Sequence, residues 1–329
     1  MVIFGVPDEE LEEPMKNRSN VSYTLSMLLA AILITLASLH VNAQVRGVYT
    51  PGVNSTNSGV LPDPGLTYSN IFELYSFSKL KGPKGETLPA NGNFSVFVDH
   101  NVFIWVAKKE ILGGGHFALM ADLPVANSSL ESANFGALAG GGGFADSYYQ
   151  PVTLGWHKKR ADYQVGYGFF APTGRFNAGA SDNVGSGHWT NGPTAAETFY
   201  LAKDKATAVS AFQLYEFHGD QETTNLHPGQ TMNLDYSLTQ LVPLKKDMSR
   251  ILQLGFVGYG QWQTTDKSGP GVNPIAAANT HYRVNAMGAA ANIILPARKA
   301  SVGIKYFKEF ANRSTVEGYS VQISGAITF

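Results

Sequence analysis

Seven histidines lie beyond residue 43: His100, His116, His157, His188, His218, His227 and His281. Acyl-transfer chemistry would need one of them beside a nucleophilic serine, with a third group to orient it. They are scattered among expected strands and loops, and none falls in a Ser/His motif. His100 adjoins Asp99, but neighbours on a strand point to opposite faces. No His-x-x-Glu or paired-His spacing suggests a metal site. The run Gly140 to Gly143 lacks the Lys-Ser/Thr that cradles phosphate and reads as a loop entering a strand. The chain has no cysteine, which removes disulfides and thiolate ligands. The expectation is a protein that is not an enzyme and uses no cofactor.

The polar residues instead share a parity. Thr231 to Leu238 reads T-M-N-L-D-Y-S-L. Met232, Leu234, Tyr236 and Leu238 fall on one face of a strand, and Asn233, Asp235 and Ser237 on the other. The same period of two runs through Phe117–Leu123, Val152–Trp156, Tyr163–Phe169, Leu252–Phe256 and Val302–Tyr306. If the apolar faces meet lipid, the opposite faces line an interior. That places Asp122, Asp162, Gln164, Asn233, Asp235, Gln253, Gln261, Arg283, Asn285 and Lys305 inside, with aromatic Tyr259. Such a set of both signs can pair across the interior and fill it, or it can line a narrow polar path.

Strands must position these residues. About twelve (range 10–14) are expected, near 66–79, 92–107, 113–125, 143–157, 160–173, 194–203, 206–219, 230–242, 250–263, 279–295, 298–311 and 316–329. Short charged links such as His157–Arg160, Lys203–Lys205, Leu244–Ser249 and Pro296–Lys299 alternate with long ones rich in Gly and Asn at 126–142, 174–193, 219–229 and 264–278. This alternation fits an all-β, antiparallel up-and-down transmembrane barrel. A soluble β-sandwich also alternates. Its strands are shorter, with a mode of about 5–6 residues, and its outer face carries Lys and Glu rather than Gly, Ser and Gln.

Composition agrees. Charged residues are 15% of the chain, against roughly 25% in soluble proteins. A net charge of -1 excludes a strongly basic nucleic-acid binder. Residues 1–43 read as a signal peptide: Lys16 and Arg18, then the apolar run Leu25–Leu39, then Val41-Asn42-Ala43 before a cleavage after Ala43. That run is shorter than the ~20 residues that span a bilayer. The acidic residues 1–14 fit poorly ahead of a basic region, so translation is expected to start at Met15. Residues 44–64 read as a loop or short plug, and residues 65–329 as the barrel.

Two resemblances sharpen this. The last strand, with Tyr319, Val321, Ile323 and terminal Phe329 on one face, resembles the barrel-closing signal that bacterial outer-membrane proteins present to their assembly machinery. Ala171–Asn191 reads A-P-T-G-R-F-N-A-G-A-S-D-N-V-G-S-G-H-W-T-N. With Tyr167 and the later His227-Pro228-Gly229, this block resembles the phenol meta-pathway degradation (MetA-type) family of outer-membrane transporters. The resemblance spans about 65–329. It departs at Phe176, where the family has Tyr. Arg175, Phe176, Asn183 and Trp189 become candidates for an entrance loop, with Arg175 able to lock loop carbonyls or carboxylates.

The resemblance implies a passive channel in the Gram-negative outer membrane for a small hydrophobic or aromatic compound. Its expected partners are outer-membrane lipid, the barrel-assembly machinery and that solute, with no nucleic acid. The alternative is a non-conducting structural or adhesive barrel. A barrel hydrolase is the third option.

Overall fold

The computed structural model describes residues 46–89, 92–132, 136–139, 141–178, 180, 182–270, 272 and 281–329. The expected signal peptide lies outside them. The strands are β1 (Gly65–Lys81), β2 (Thr87–Leu88), β3 (Gly92–Ile111), β4 (Gly115–Asp122), β5 (Val125–Ser132), β6 (Gly136–Ala139), β7 (Gly143–Phe144), β8 (Ser147–His157), β9 (Ala161–Ala171), β10 (Thr190–Tyr200), β11 (Thr207–His218), β12 (Thr231–Pro243), β13 (Ile251–Gln263), β14 (Arg283–Leu295), β15 (Ala300–Glu309) and β16 (Thr315–Thr328).

From β8 to β16 each strand pairs with the next along the chain. β1 pairs antiparallel with β16, from Thr67↔Thr328 to Lys81↔Thr315. Its other edge pairs with β3. The first and last strands thus close the sheet on itself, which removes the unpaired edge that lipid cannot satisfy. Phe329 adds a final bond, donating its backbone N–H to the Leu66 carbonyl at 2.9 Å. β4 and β5 pair with successive halves of β3 and make one stave, broken at Leu123-Pro124. β6, β7 and β8 make another, and β2 is a short return on β1. The barrel has twelve staves.

Two expected boundaries shift. The stretch expected as a link at 126–142 contains β5 and β6. Its small polar residues have weak strand propensity, but the long partner β3 supplies a template for pairing. β10 starts at Thr190, earlier than expected. Pro193 reads as a strand breaker, yet it lies within the strand opposite Tyr167 of β9.

Short turns gather at one rim, with Gly65 and Phe329. Longer loops gather at the other. Residues directly opposite in a ladder share a face, so pairing and burial fix which way each strand points. Phe256, Ile304, Ile323 and Val302 stand exposed on the outer face, while Asn233 and Asp235 of β12 are fully buried on the inner one. The interior also holds apolar patches: Tyr259, Tyr282, Val284, Ala286 and Phe307 in one, and Tyr49, Tyr148, Phe170 and Leu214 in another.

Candidate functional site

Residues 46–61 run inside the barrel from the long-loop rim to the short-turn rim. Arg46 bonds Glu309, Thr315 and the Val316 carbonyl near the long loops. Gly47 donates its N–H to the Tyr282 hydroxyl at 2.7 Å. Further down, Asn57 pairs with Gln253, and Gly59 donates to Thr198. Leu61 packs with Val106 and Ala118. The segment forms no strand. Its backbone groups are therefore satisfied by side chains of the wall rather than by a ladder.

Two carboxylates, Asp235 and Glu216, meet its backbone, and a third, Glu309, holds the Arg46 side chain. Asp235 accepts from the Tyr49 hydroxyl at 2.6 Å, the Gly52 N–H at 2.9 Å and the Asn54 N–H at 3.1 Å. Glu216 accepts from the Tyr49 N–H at 2.8 Å and Asn233 at 2.9 Å. Glu309 gathers Arg46, Tyr75, Tyr259, Asn312 and the Gly318 N–H. Burial and the Asp235 carboxylate push the Tyr49 phenol well above its usual range, so its hydroxyl remains a donor. Further round the same wall, Lys305 of β15 donates to the Gly52 and Val53 carbonyls, both at 2.8 Å. Gly52 is required at that bend. Its φ is +88°, and a Cβ there would lie 2.7 Å from the Phe307 ring.

The residues singled out in the sequence divide in two. Asp122, Asp162, Gln164, Asn233, Asp235, Gln253, Tyr259, Gln261 and Lys305 stand on the inner face. Of these, Gln164, Asp235, Gln253, Gln261 and Lys305 bond the segment directly. Arg283 and Asn285 do not belong with them. They share the outer face with Met287 at the long-loop rim, while Val284 and Ala286 point inward. The polar-in rule reverses there because the inner positions of β14 pack the apolar patch of Tyr259, Tyr282 and Phe307.

Sequence reasoning passed over Glu73, His100, Glu216, Glu309 and the segment residues Arg46 and Tyr49. Glu73 and Glu216 each interrupt an apolar-aromatic run, L-Y-S beyond one and F-Q-L-Y before the other. A lone carboxylate at the inward parity of such a strand is the signal that was available.

The hydrogen bonds of the segment go to one side of the interior, while its other contacts reach across: Leu61 packs on Val106 of β3 and Ala118 of β4, Tyr49 on Tyr148 of β8, and Arg46 lies 5.2 Å from the Tyr75 ring centroid of β1. Among the described residues, none of its hydrogen bonds goes to β1, β3, β4, β5 or β8. On that wall half-buried Ile71, Val98 and Val102 face inward around His100, whose Nδ1 lies 2.6 Å from Asp122. Glu73 lies within electrostatic reach of His100. Asp99 faces outward and bonds Asn70.

The loop at 172–189 is tied down by Asp146, which accepts from the Gly174 N–H at 3.0 Å and from Ser186 through its N–H at 2.7 Å and its hydroxyl. Burial raises the Asp146 carboxyl above its usual range, against the pull of those donors. Arg175 donates to the Gly141 and Asp182 carbonyls and pairs with the Asp182 carboxylate at 3.1 Å. Asn183 caps Asn177 through its side chain in both directions. Phe176 packs against Gly187. Trp189 is 56% exposed and its ring centroid lies 6.0 Å from that of Phe169. Its neighbour His188 points inward, and burial lowers its pKa to about 4. Among the described residues no cluster of three His, Cys, Asp or Glu side chains could hold a metal ion.

A family model described as "Putative MetA-pathway of phenol degradation" matches residues 77–324. The chain belongs to this family. Among solved structures it is similar to the COG4313 outer membrane channel from Pseudomonas putida F1, at 15% identity over 85% of this chain and 100% of that one, with a TM-score of 0.64. It is more loosely similar to the beta domain of the Bordetella autotransporter BrkA, at 10% identity over 81% of this chain and 100% of that one, with a TM-score of 0.47. No curated protein matches the sequence. At 15% identity the first likeness speaks to fold. In this member of the MetA-pathway family that fold is a closed outer-membrane barrel with its own N-terminal segment inside.

Proposed function

We propose that the protein is a passive outer-membrane channel for a small hydrophobic or aromatic compound, and that residues 46–61 are a plug that narrows it. The observation that carries this is the one-sided hydrogen bonding of the segment inside the barrel. The plug hydrogen-bonds the wall from β9 to β16; on the wall of β1, β3 and β4 it packs Leu61 on Val106 and Ala118 and leaves Ile71, Val98 and Val102 around His100. That mixture suits a small, largely apolar solute. A ~12-strand barrel is intermediate between filled eight-strand barrels and open porins, so a half-filled one admits small solutes only. A signal peptide directs export and is cleaved after Ala43, and the strand ending in Phe329 serves as the signal read by the assembly machinery. Arg175 and Asn183 shape the loop at the mouth. No catalytic step belongs to this reading.

The test is uptake into proteoliposomes of the mature chain, comparing phenol-like and alkane solutes with sugars. Passage of the apolar solutes without sugars supports the channel. No passage of any solute, from a barrel shown folded by its heat-modifiable gel mobility, favours the structural or adhesive alternative.

A further inference from the structure

The short-turn rim carries charge that the channel reading does not use. β9 pairs with both β8 and β10, so the β8–β9 turn and the β10–β11 turn sit side by side. Between them opens a cleft of about 690 Å³ lined by His157, Lys158, Lys159, Arg160, Lys203 and Lys205. The turns brace each other through backbone carbonyls. Arg160 donates to the Tyr200 and Leu201 carbonyls at 3.0 and 2.9 Å, and Lys205 to the Lys158 carbonyl at 3.1 Å. Lys205 also lies over the Tyr200 ring, 4.4 Å from its centroid. These bonds fix the cationic side chains in place without neutralising them. Two carboxylates adjoin the cleft: Asp204 accepts from the Ala206 N–H, and Asp162, at the start of β9, accepts from the Lys158 N–H and the Tyr200 hydroxyl and lies 3.4 Å from His157, which leaves the lysines without a carboxylate partner among the described residues. The next turn along the rim adds Lys245, Lys246 and Arg250, all exposed, against Asp247. The opposite rim mixes its signs: Lys84 and Arg313 stand with Glu86, Asp220 and Glu222.

Position identifies the partner. Tyr163 and Phe199 stand exposed on the outer face just above these turns, edge to face at 5.7 Å, with Trp156 beside Tyr163 in the ladder. Aromatic side chains at a strand end lie at headgroup level. The cleft therefore opens at the depth of lipid phosphates, and short turns are periplasmic in such barrels. Lysine is a point-charge partner for phosphate, and its attraction to an anionic leaflet is short-ranged and screened by salt. We propose that this rim binds anionic phospholipid of the periplasmic leaflet, with the headgroup phosphate held in the cleft between the two turns.

The test uses the mature chain in mixed micelles and nanodiscs of phosphatidylglycerol and phosphatidylcholine, counting retained lipids by native mass spectrometry. Wild type is expected to retain phosphatidylglycerol over phosphatidylcholine. The Lys159→Gln/Lys203→Gln double variant changes two exposed side chains and should weaken that preference by at least about tenfold, at roughly fivefold per cation. A Lys84→Gln/Arg313→Gln double variant at the other rim should retain it. Raising salt should erode retention in wild type, a readout that needs no variant. Equal retention of both lipids, an unchanged preference in the first double variant, or indifference to salt would each overturn the proposal. So would binding of inorganic phosphate that displaces the lipid at equal concentration, which would make the cleft a site for the free anion. Solute flux is not part of the readout, so failure here leaves the channel reading untouched.

Discussion

The two halves of the barrel interior are built differently. The wall from β9 to β16 holds residues 46–61 by hydrogen bonds: Asp235 and Lys305 meet their backbone and Gln253 the Asn57 side chain. On the wall of β1, β3 and β4 no hydrogen bond to the segment forms among the described residues, and His100 pairs with Asp122 instead. A segment held by side chains alone has no ladder to resist its removal, so its retention depends on a few buried contacts. The contrast locates what can open in one half and what can line a path in the other.

The largest effect should come from erasing the difference. Deleting residues 46–61 while keeping residues 1–45 and the barrel leaves both walls bare. Single-channel conductance should rise by roughly an order of magnitude, as expected when a ~12-strand barrel loses its filling. Unchanged conductance would mean that the segment does not limit the path.

A smaller break is Asp235→Ala. Three donors, the Tyr49 hydroxyl and the Gly52 and Asn54 N–H groups, lose their acceptor inside the barrel. Leaving them unpaired costs about 3–5 kcal/mol, and most of it should appear as local release of the segment rather than unfolding of the barrel. Limited proteolysis near Val53 should speed up while the heat-modifiable mobility stays. On the other wall, Asp122→Asn should leave proteolysis unchanged and alter only solute uptake. If both variants release the segment, the walls are not independent.

Much of the barrel was legible in the sequence because period two and alternating link lengths are local signals. Twelve staves, antiparallel pairing and closure followed from them. The inward parity of Asn233, Asp235, Gln253 and Gln261 was equally local. Arg283 and Asn285 misled because parity was assigned by polarity, and β14 turns Val284 and Ala286 inward against Tyr259 and Phe307. That preference comes from strands β13 and β15, which no local window contains. Glu309 and Arg46 are 263 residues apart, and a pairing at that range leaves no trace in either neighbourhood. The segment was readable as loop or plug from its Gly, Pro and Asn content, but its anchors were not.

The loop over the mouth should respond to acid in a defined direction. His188 is 1% exposed, and burial lowers its pKa from 6.5 to about 4. The opened loop binds a proton more readily than the packed one, so stability rises with pH across this window. On acidification from about 6.5 to about 4 the packed loop should lose up to about 3 kcal/mol. Hydrogen exchange at Gly187–Thr190 should follow that range, and His188→Gln should reduce the response without abolishing it, because buried His218 lies 5.1 Å away and shares the Thr190 hydroxyl.

The smallest expected effect tests whether the mouth belongs to either wall. Arg175 is partly exposed and its ion pair with Asp182 is correspondingly weak, about 0–1 kcal/mol. Its two carbonyl bonds, to Gly141 and Asp182, use the planar guanidinium at one nitrogen. Lysine keeps the charge but cannot hold both carbonyls in that geometry. Arg175→Lys should therefore leave barrel stability and segment protection as they are, and change only the rate at which solute enters. Asp146→Ala, which removes the acceptor shared by Gly174 and Ser186, should alter entry more strongly. If Arg175→Lys also exposed the segment to protease, the loop and the segment would form one cooperative unit. The interior would then open from the mouth rather than from Asp235.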